Sequence, residues 1–93
     1  GTCPFTNEKL IEPANAKAIR ALMLTCGMYD GSGTFAMTVG FPAKSGVGGG
    51  ITVSIAKQMG IGVYGPALDE RGNSLGGIKI LEYLSEKMEC TLF

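Results

Sequence analysis

"ITVSIAKQMGIGVYG", residues 51–65, decides the fold. Ile51, Val53 and Ile55 alternate with Thr52, Ser54 and Ala56, the period of a half-buried strand. "GIGVYG" (Gly60–Gly65) reads as a second strand after a turn of only a few residues. A parallel crossover needs a dozen residues or more, so the pair is antiparallel. Upstream, "TFAMTV" (Thr34–Val39) reads as a further β segment leading into "GFPAKSGVGGGI" (Gly40–Ile51). Consecutive short links predict a three-stranded antiparallel meander.

Helical patterns flank it. In "EPANAKAIRALMLTCG" (Glu12–Gly27), Pro13 suits a first-turn position, and Ile19, Leu22, Met23 and Cys26 follow the spacing of one buried face. Gly27 supplies the stop, and "MYDGSG" is a turn by composition. "ALDERGNS" is polar punctuation, with Asn73 or Ser74 as N-cap. The helix that follows, "LGGIKILEYLSEKM", carries Ile78, Leu81, Leu84 and Met88 on one face. The expected class is α+β, in the order α-β-β-β-α. Two helices cannot cover both faces and both edges of such a sheet, so residues 1–93 read as part of a larger domain.

The composition narrows the function classes. Ninety-three residues make one small domain, burying roughly 60–65% of the unfolded surface. Eight basic and eight acidic residues cancel, which argues against nucleic acid or an anionic membrane as partner. No apolar run is long enough to span a bilayer, and no signal-peptide pattern opens the sequence. Cys3, Cys26 and Cys90 form an odd set without a CxxC pair, and there is no His. That set predicts neither a zinc site nor a disulfide framework, and it fits a reducing compartment. Acid–base chemistry within these residues must use Lys, Tyr or a carboxylate.

Four motif matches fail in context. "GIGVYG" satisfies GxGxxG but reads as a strand ending at Pro66. "GSGTFA" (Gly31–Ala36) follows a helix and is expected to enter a strand, the reverse of a dinucleotide fingerprint. A P-loop needs Gly before Lys-Ser, where this chain has Ala43. "SIAK" (Ser54–Lys57) spells the SxxK of serine acyl-transfer enzymes, a pair that shares a face only on a helix. On a strand the three-residue offset points the two side chains apart.

The central segment differs. From Gly31 to Ala56 the only charge is Lys44. Serine β-lactamases and penicillin-binding proteins edge their sites with K-[ST]-G. Lys offers charge, Ser a hydroxyl, and Gly lets substrate lie against the backbone. Alone, the triplet also fits a Gly-rich hairpin kept soluble by its Lys.

The whole run "CGMYDGSGTFAMTVGFPAKSGVGGGI", with "GIGV", "PALDERGNSLGGIKILEYLS" and the early "CPFTNEKLIEP", resembles the glutaminase family. These are serine-dependent amidohydrolases related in fold to β-lactamases. The resemblance spans nearly the entire chain. It implies that Tyr29 is the active-site Tyr that shuttles protons to departing ammonia. Val47, by the same resemblance, binds substrate through its backbone N–H as part of the oxyanion hole. Lys44, Ser45 and Gly46 would shape that wall. Judged alone, Tyr29 would pack its ring and Val47 would be a core or strand residue, while Asp30 and Asn73 read as turn and cap.

The family's nucleophile is a Ser in a helical SxxK upstream of "GMYD", with the substrate-gripping Asn, Glu and second Tyr. The chain is therefore expected to be the C-terminal portion of a glutaminase catalytic domain, inactive alone and completed by an N-terminal portion. The resemblance implies L-glutamine as substrate, no cofactor, a homo-oligomer, and a cytoplasmic or mitochondrial setting. Two other readings stay open: a β-lactam-binding or transpeptidase-like domain, and a non-catalytic interaction module.

Overall fold

A computed structural model of the chain describes residues 1–89 and 91–93; Cys90 lies outside the described residues. Helix α1 spans Pro13–Cys26, a 3-10 turn Tyr29–Gly31, and helix α2 Ser32–Thr38. Strands β1 (Ala43–Ser45), β2 (Gly50–Ile55) and β3 (Met59–Tyr64) follow, then helix α3, Leu75–Met88. The sheet order is β1-β2-β3, antiparallel throughout, with Ala43 opposite Val53 and Val53 opposite Ile61. The meander, the α+β class and the last helix stand as the sequence implied.

Opposed residues share a sheet face. One face gathers Ala43, Ile51, Val53 and Ile55, with Ile61 and Val63 partly buried beside them. Phe35 and Val39 reach it from α2 and its end, and Leu81, Ile78, Leu84 and Met88 from α3. Ser85 Oγ donates to Val39 O, joining α3 to the end of α2. Ser74 caps α3, accepting from Gly77 N at 3.0 Å and donating to Gly65 O at 2.8 Å. The opposite face carries Lys44, Thr52 and Ser54, with Gly62 and Gly60 across from the last two. Of the three glycines in the GxGxxG match, Gly60 and Gly62 are thus strand glycines on the outward face, and Gly65 follows the strand.

Three expectations are corrected. Thr34–Val39 is not a strand; Ser32–Thr38 is helical. A strand would place Phe35, Met37 and Val39 on one face, yet Phe35 and Val39 are buried four residues apart while Met37 is 88% exposed. Period 3.6 won over period 2 in a window too short to separate them. "GSGTFA" therefore opens a helix, but it follows a 3-10 turn and not a strand, so the dinucleotide fingerprint still fails.

On α1 the inward face is Ala16, Arg20, Met23, Leu24 and Gly27, whereas Ile19, Leu22 and Cys26 are exposed. No described element packs over that apolar stripe. Finally, the β1 edge is not open: Ser45 N donates to Gly27 O at 3.0 Å, so the end of α1 serves as its neighbour. Among the described residues, the outer edge of β3 has no partner strand. Ser54 lies on β2 and Lys57 in the turn beyond it at φ 63°, so the SxxK pair has no helix to share.

Gly27 makes the close approach possible. A Cβ there would overlap the carbonyl oxygens of Ala43 and Met23, both backbone atoms that cannot swing away. Gly27→Ala in the full-length protein should cost about 3 kcal/mol of unfolding free energy, read from the urea midpoint. An unchanged midpoint would show that α1 does not hold β1 this way.

Candidate functional site

Three chain segments meet beside β1. The first is the corner after α1. Tyr29 sits at φ 52°, a left-handed conformation that costs a bulky residue on the order of 1–3 kcal/mol. Its neighbours over-determine it. Ser32 Oγ accepts from Met28 N at 3.0 Å and donates to Tyr29 O at 2.8 Å. Met28 O accepts from Gly31 N at 3.0 Å and from Asn73 Nδ2 at 2.9 Å. The corner is fixed, and the Tyr29 side chain projects from it, 42% exposed.

The second is the β1–β2 turn. Gly46 N donates to Gly50 O and Gly49 N to Gly46 O, each at 3.0 Å, leaving Val47 at the tip, 70% exposed. Among the described residues nothing accepts from Val47 N–H. Lys44 lies on the outward face of β1, its Nζ 4.5 Å from the Tyr29 ring centroid and donating to Ser45 O. Such a cation–π contact is worth about 0.5–1 kcal/mol at an exposed position, enough to bias the ring's orientation. Ser45 is buried. Its Oγ donates to Asn73 Oδ1 at 2.6 Å, so this hydroxyl braces the wall from behind and does not face the opening.

The third is the loop before α3. Asp69 Oδ1 accepts from Arg71 N at 2.9 Å and Asn73 N at 3.0 Å, and Asp69 N donates to Asn73 O at 2.7 Å. This closed turn holds Gly72 at φ 91°. A methyl at Gly72 would lie 3.6 Å from Val47 Cγ1 and 3.8 Å from Tyr29 Cε2. Tyr29 and Val47, far apart in sequence, thus flank one point on the same side of the molecule. Gly46 and Gly48 leave the turn open around it.

The sequence reading missed Asn73. It is not the cap of α3, which is Ser74. Its side chain is 1% exposed and spends both ends of its amide on two other segments. Asp30 lies in the 3-10 turn, exposed, as read. Among the described residues no three His, Cys, Asp or Glu side chains converge on a point.

A cavity also lies elsewhere. It is a groove of about 440 Å³ bounded by Lys17, Leu24, Phe41, Pro42, Ile55 and Leu92, and it touches neither Tyr29 nor Val47. Its wall is largely apolar, with Lys17, Arg20, Ser54 and Gln58 among its lining, and it lies apart from the Tyr29–Val47 side, which is an open wall. Among the described residues no helix is long and apolar enough to cross a membrane.

The glutaminase family model matches residues 1–93. The chain is 56% identical over its whole length to a glutaminase of Clostridium tetani and 50% identical to one of Clostridium botulinum. It spans 30% of the length of each of these relatives. In structure it is similar to a Bacillus subtilis glutaminase solved as a covalent complex with 5-oxo-L-norleucine, formed by reaction with 6-diazo-5-oxo-L-norleucine. The TM-score is 0.89 at 47% identity, covering 97% of this chain and 33% of that one.

Proposed function

We propose, since this chain belongs to the glutaminase family, that it forms one wall of a site hydrolysing L-glutamine to L-glutamate and ammonia. The observation that carries the reading is the shared side of Tyr29 and Val47, one offering a phenol and the other an N–H the fold leaves unused. The covalent norleucine adduct of the Bacillus relative adds support, because that ligand is glutamine with a carbon in place of the amide nitrogen, a ketone where the amide stands.

The chemistry follows from those groups. A Ser in an SxxK helix, on polypeptide preceding these residues, gives its proton to the Lys and attacks the side-chain amide carbon. The carbonyl oxygen becomes an oxyanion held by Val47 N–H and the nucleophile's own N–H. Tyr29 passes its proton to the nitrogen and is reprotonated by the Lys, the C–N bond breaks, and ammonia leaves. Water then attacks the acyl-enzyme, its oxygen entering glutamate and one proton returning to Ser. Lys44 and Gly46 border the substrate, and Ser45 holds their strand from behind.

In this reading the remainder of a β-lactamase-like domain covers the Ile19–Leu22 stripe of α1, and the enzyme works as a cytoplasmic homo-oligomer. It needs no cofactor and engages neither nucleic acid nor membrane. The test is turnover by the full-length protein. Ammonia and glutamate should appear in equal amounts from glutamine, and penicillin should leave the protein unlabelled. Acylation by penicillin without ammonia release would move the protein to the β-lactam-binding class; neither activity would leave a binding module.

A further inference from the structure

Among the described residues, the buried Asn73 side chain bonds to both segments that carry Tyr29 and Val47. Met28 O can only accept, so the amide nitrogen must face it and Oδ1 must face Ser45, whose hydroxyl proton it takes. Ser45 Oγ has one proton and two carbonyls in view, Asn73 Oδ1 at 2.6 Å and Gly27 O at 3.4 Å; the shorter contact holds it. One planar amide thus helps set the distance between the corner behind Tyr29 and the strand two residues before Val47, beside the direct backbone bond from Ser45 N to Gly27 O. The Asp69 turn fixes Asn73 in its place.

We infer that Asn73 is a positioning residue of the reaction, holding the Tyr29 hydroxyl and the Val47 N–H at their working separation without touching substrate. The inference rests on the glutaminase reading above. Displacing a catalytic group by about 1 Å costs on the order of 10²-fold in rate. Asn73→Asp keeps the shape and the bond from Ser45. When ionised it cannot donate to Met28 O and repels that carbonyl. When protonated it can donate again; burial beside a carbonyl and the nearby Asp69 and Glu82 carboxylates raise the pKa of the introduced carboxyl, against the opposing pull of the Arg71 guanidinium. The lost bond is therefore regained as pH falls.

In the full-length enzyme, kcat of Asn73→Asp per folded molecule should fall about 10²-fold at neutral pH. KM should stay within about threefold, and the ratio of variant to wild-type kcat should climb as pH is lowered. A kcat equal to wild type across the pH range, or a loss that ignores pH, overturns the inference. If Asn73→Asp does not fold, Ser45→Ala removes one bond of the pair; a drop of about tenfold in kcat at constant KM supports the role, and an unchanged kcat overturns it. Tyr29→Phe separates this from the parent reading. An inactive Tyr29→Phe beside a normal Asn73→Asp sinks the positioning role alone; an active Tyr29→Phe removes Tyr29 from the mechanism and the positioning role with it; a wild-type enzyme that releases no ammonia from glutamine sinks the parent reading.

Discussion

Tyr29→Phe in the complete enzyme should lower kcat for glutamine hydrolysis by about 10³-fold and leave the urea midpoint unchanged. General acid–base groups contribute about 10²–10⁴-fold, and a phenyl ring cannot carry the proton that ammonia needs to leave. The fold has no use for the hydroxyl: no described residue bonds it, and the ring contact with Lys44 Nζ survives the change. The φ of 52° makes the position informative, because backbone strain at a bulky, half-exposed residue persists only where its surroundings enforce it. A near-normal rate would remove Tyr29 from the mechanism.

Val47→Pro should lower kcat by about 10²–10³-fold, the usual consequence of deleting one oxyanion donor. Val47→Ala should stay within a few-fold of wild type. The contrast isolates the N–H: both variants lose the exposed isopropyl group, and only Pro loses the donor. Proline also restricts Gly46 before it, so folding is followed by circular dichroism beside the kinetics. A harmless Pro ends the oxyanion assignment.

The meander was legible because Ile51–Ile55 alternates cleanly and the link to Gly60 is too short for any other topology. Helix α3 was legible because fourteen residues give the 3.6 period room to show. Helix α2 was not: over Phe35, Met37 and Val39 both periods place apolar residues acceptably, and only tertiary burial of the first and third decides. The α1 stripe misled for a different reason. Amphipathicity marks a face that wants cover, and no described residue covers this one.

The site was half legible. Tyr29 and Val47 came from resemblance, and the fold sets them on one side of the molecule. Asn73 looks in sequence like any residue before a helix, since a buried amide bridging segments 28 and 45 residues away leaves no local pattern.

The outward sheet face has a consequence for whatever settles on it. Between Thr52 and Ser54 on one strand and two glycines on the next, the middle of the face has little relief, with Lys44 and the exposed Tyr64 at its margins. A layer laid on that middle strip meets few knobs and must bring its own, so the contour of the seam there is written in the visiting polypeptide. The backbones can then come nearer than side-chain interdigitation from both sides would permit.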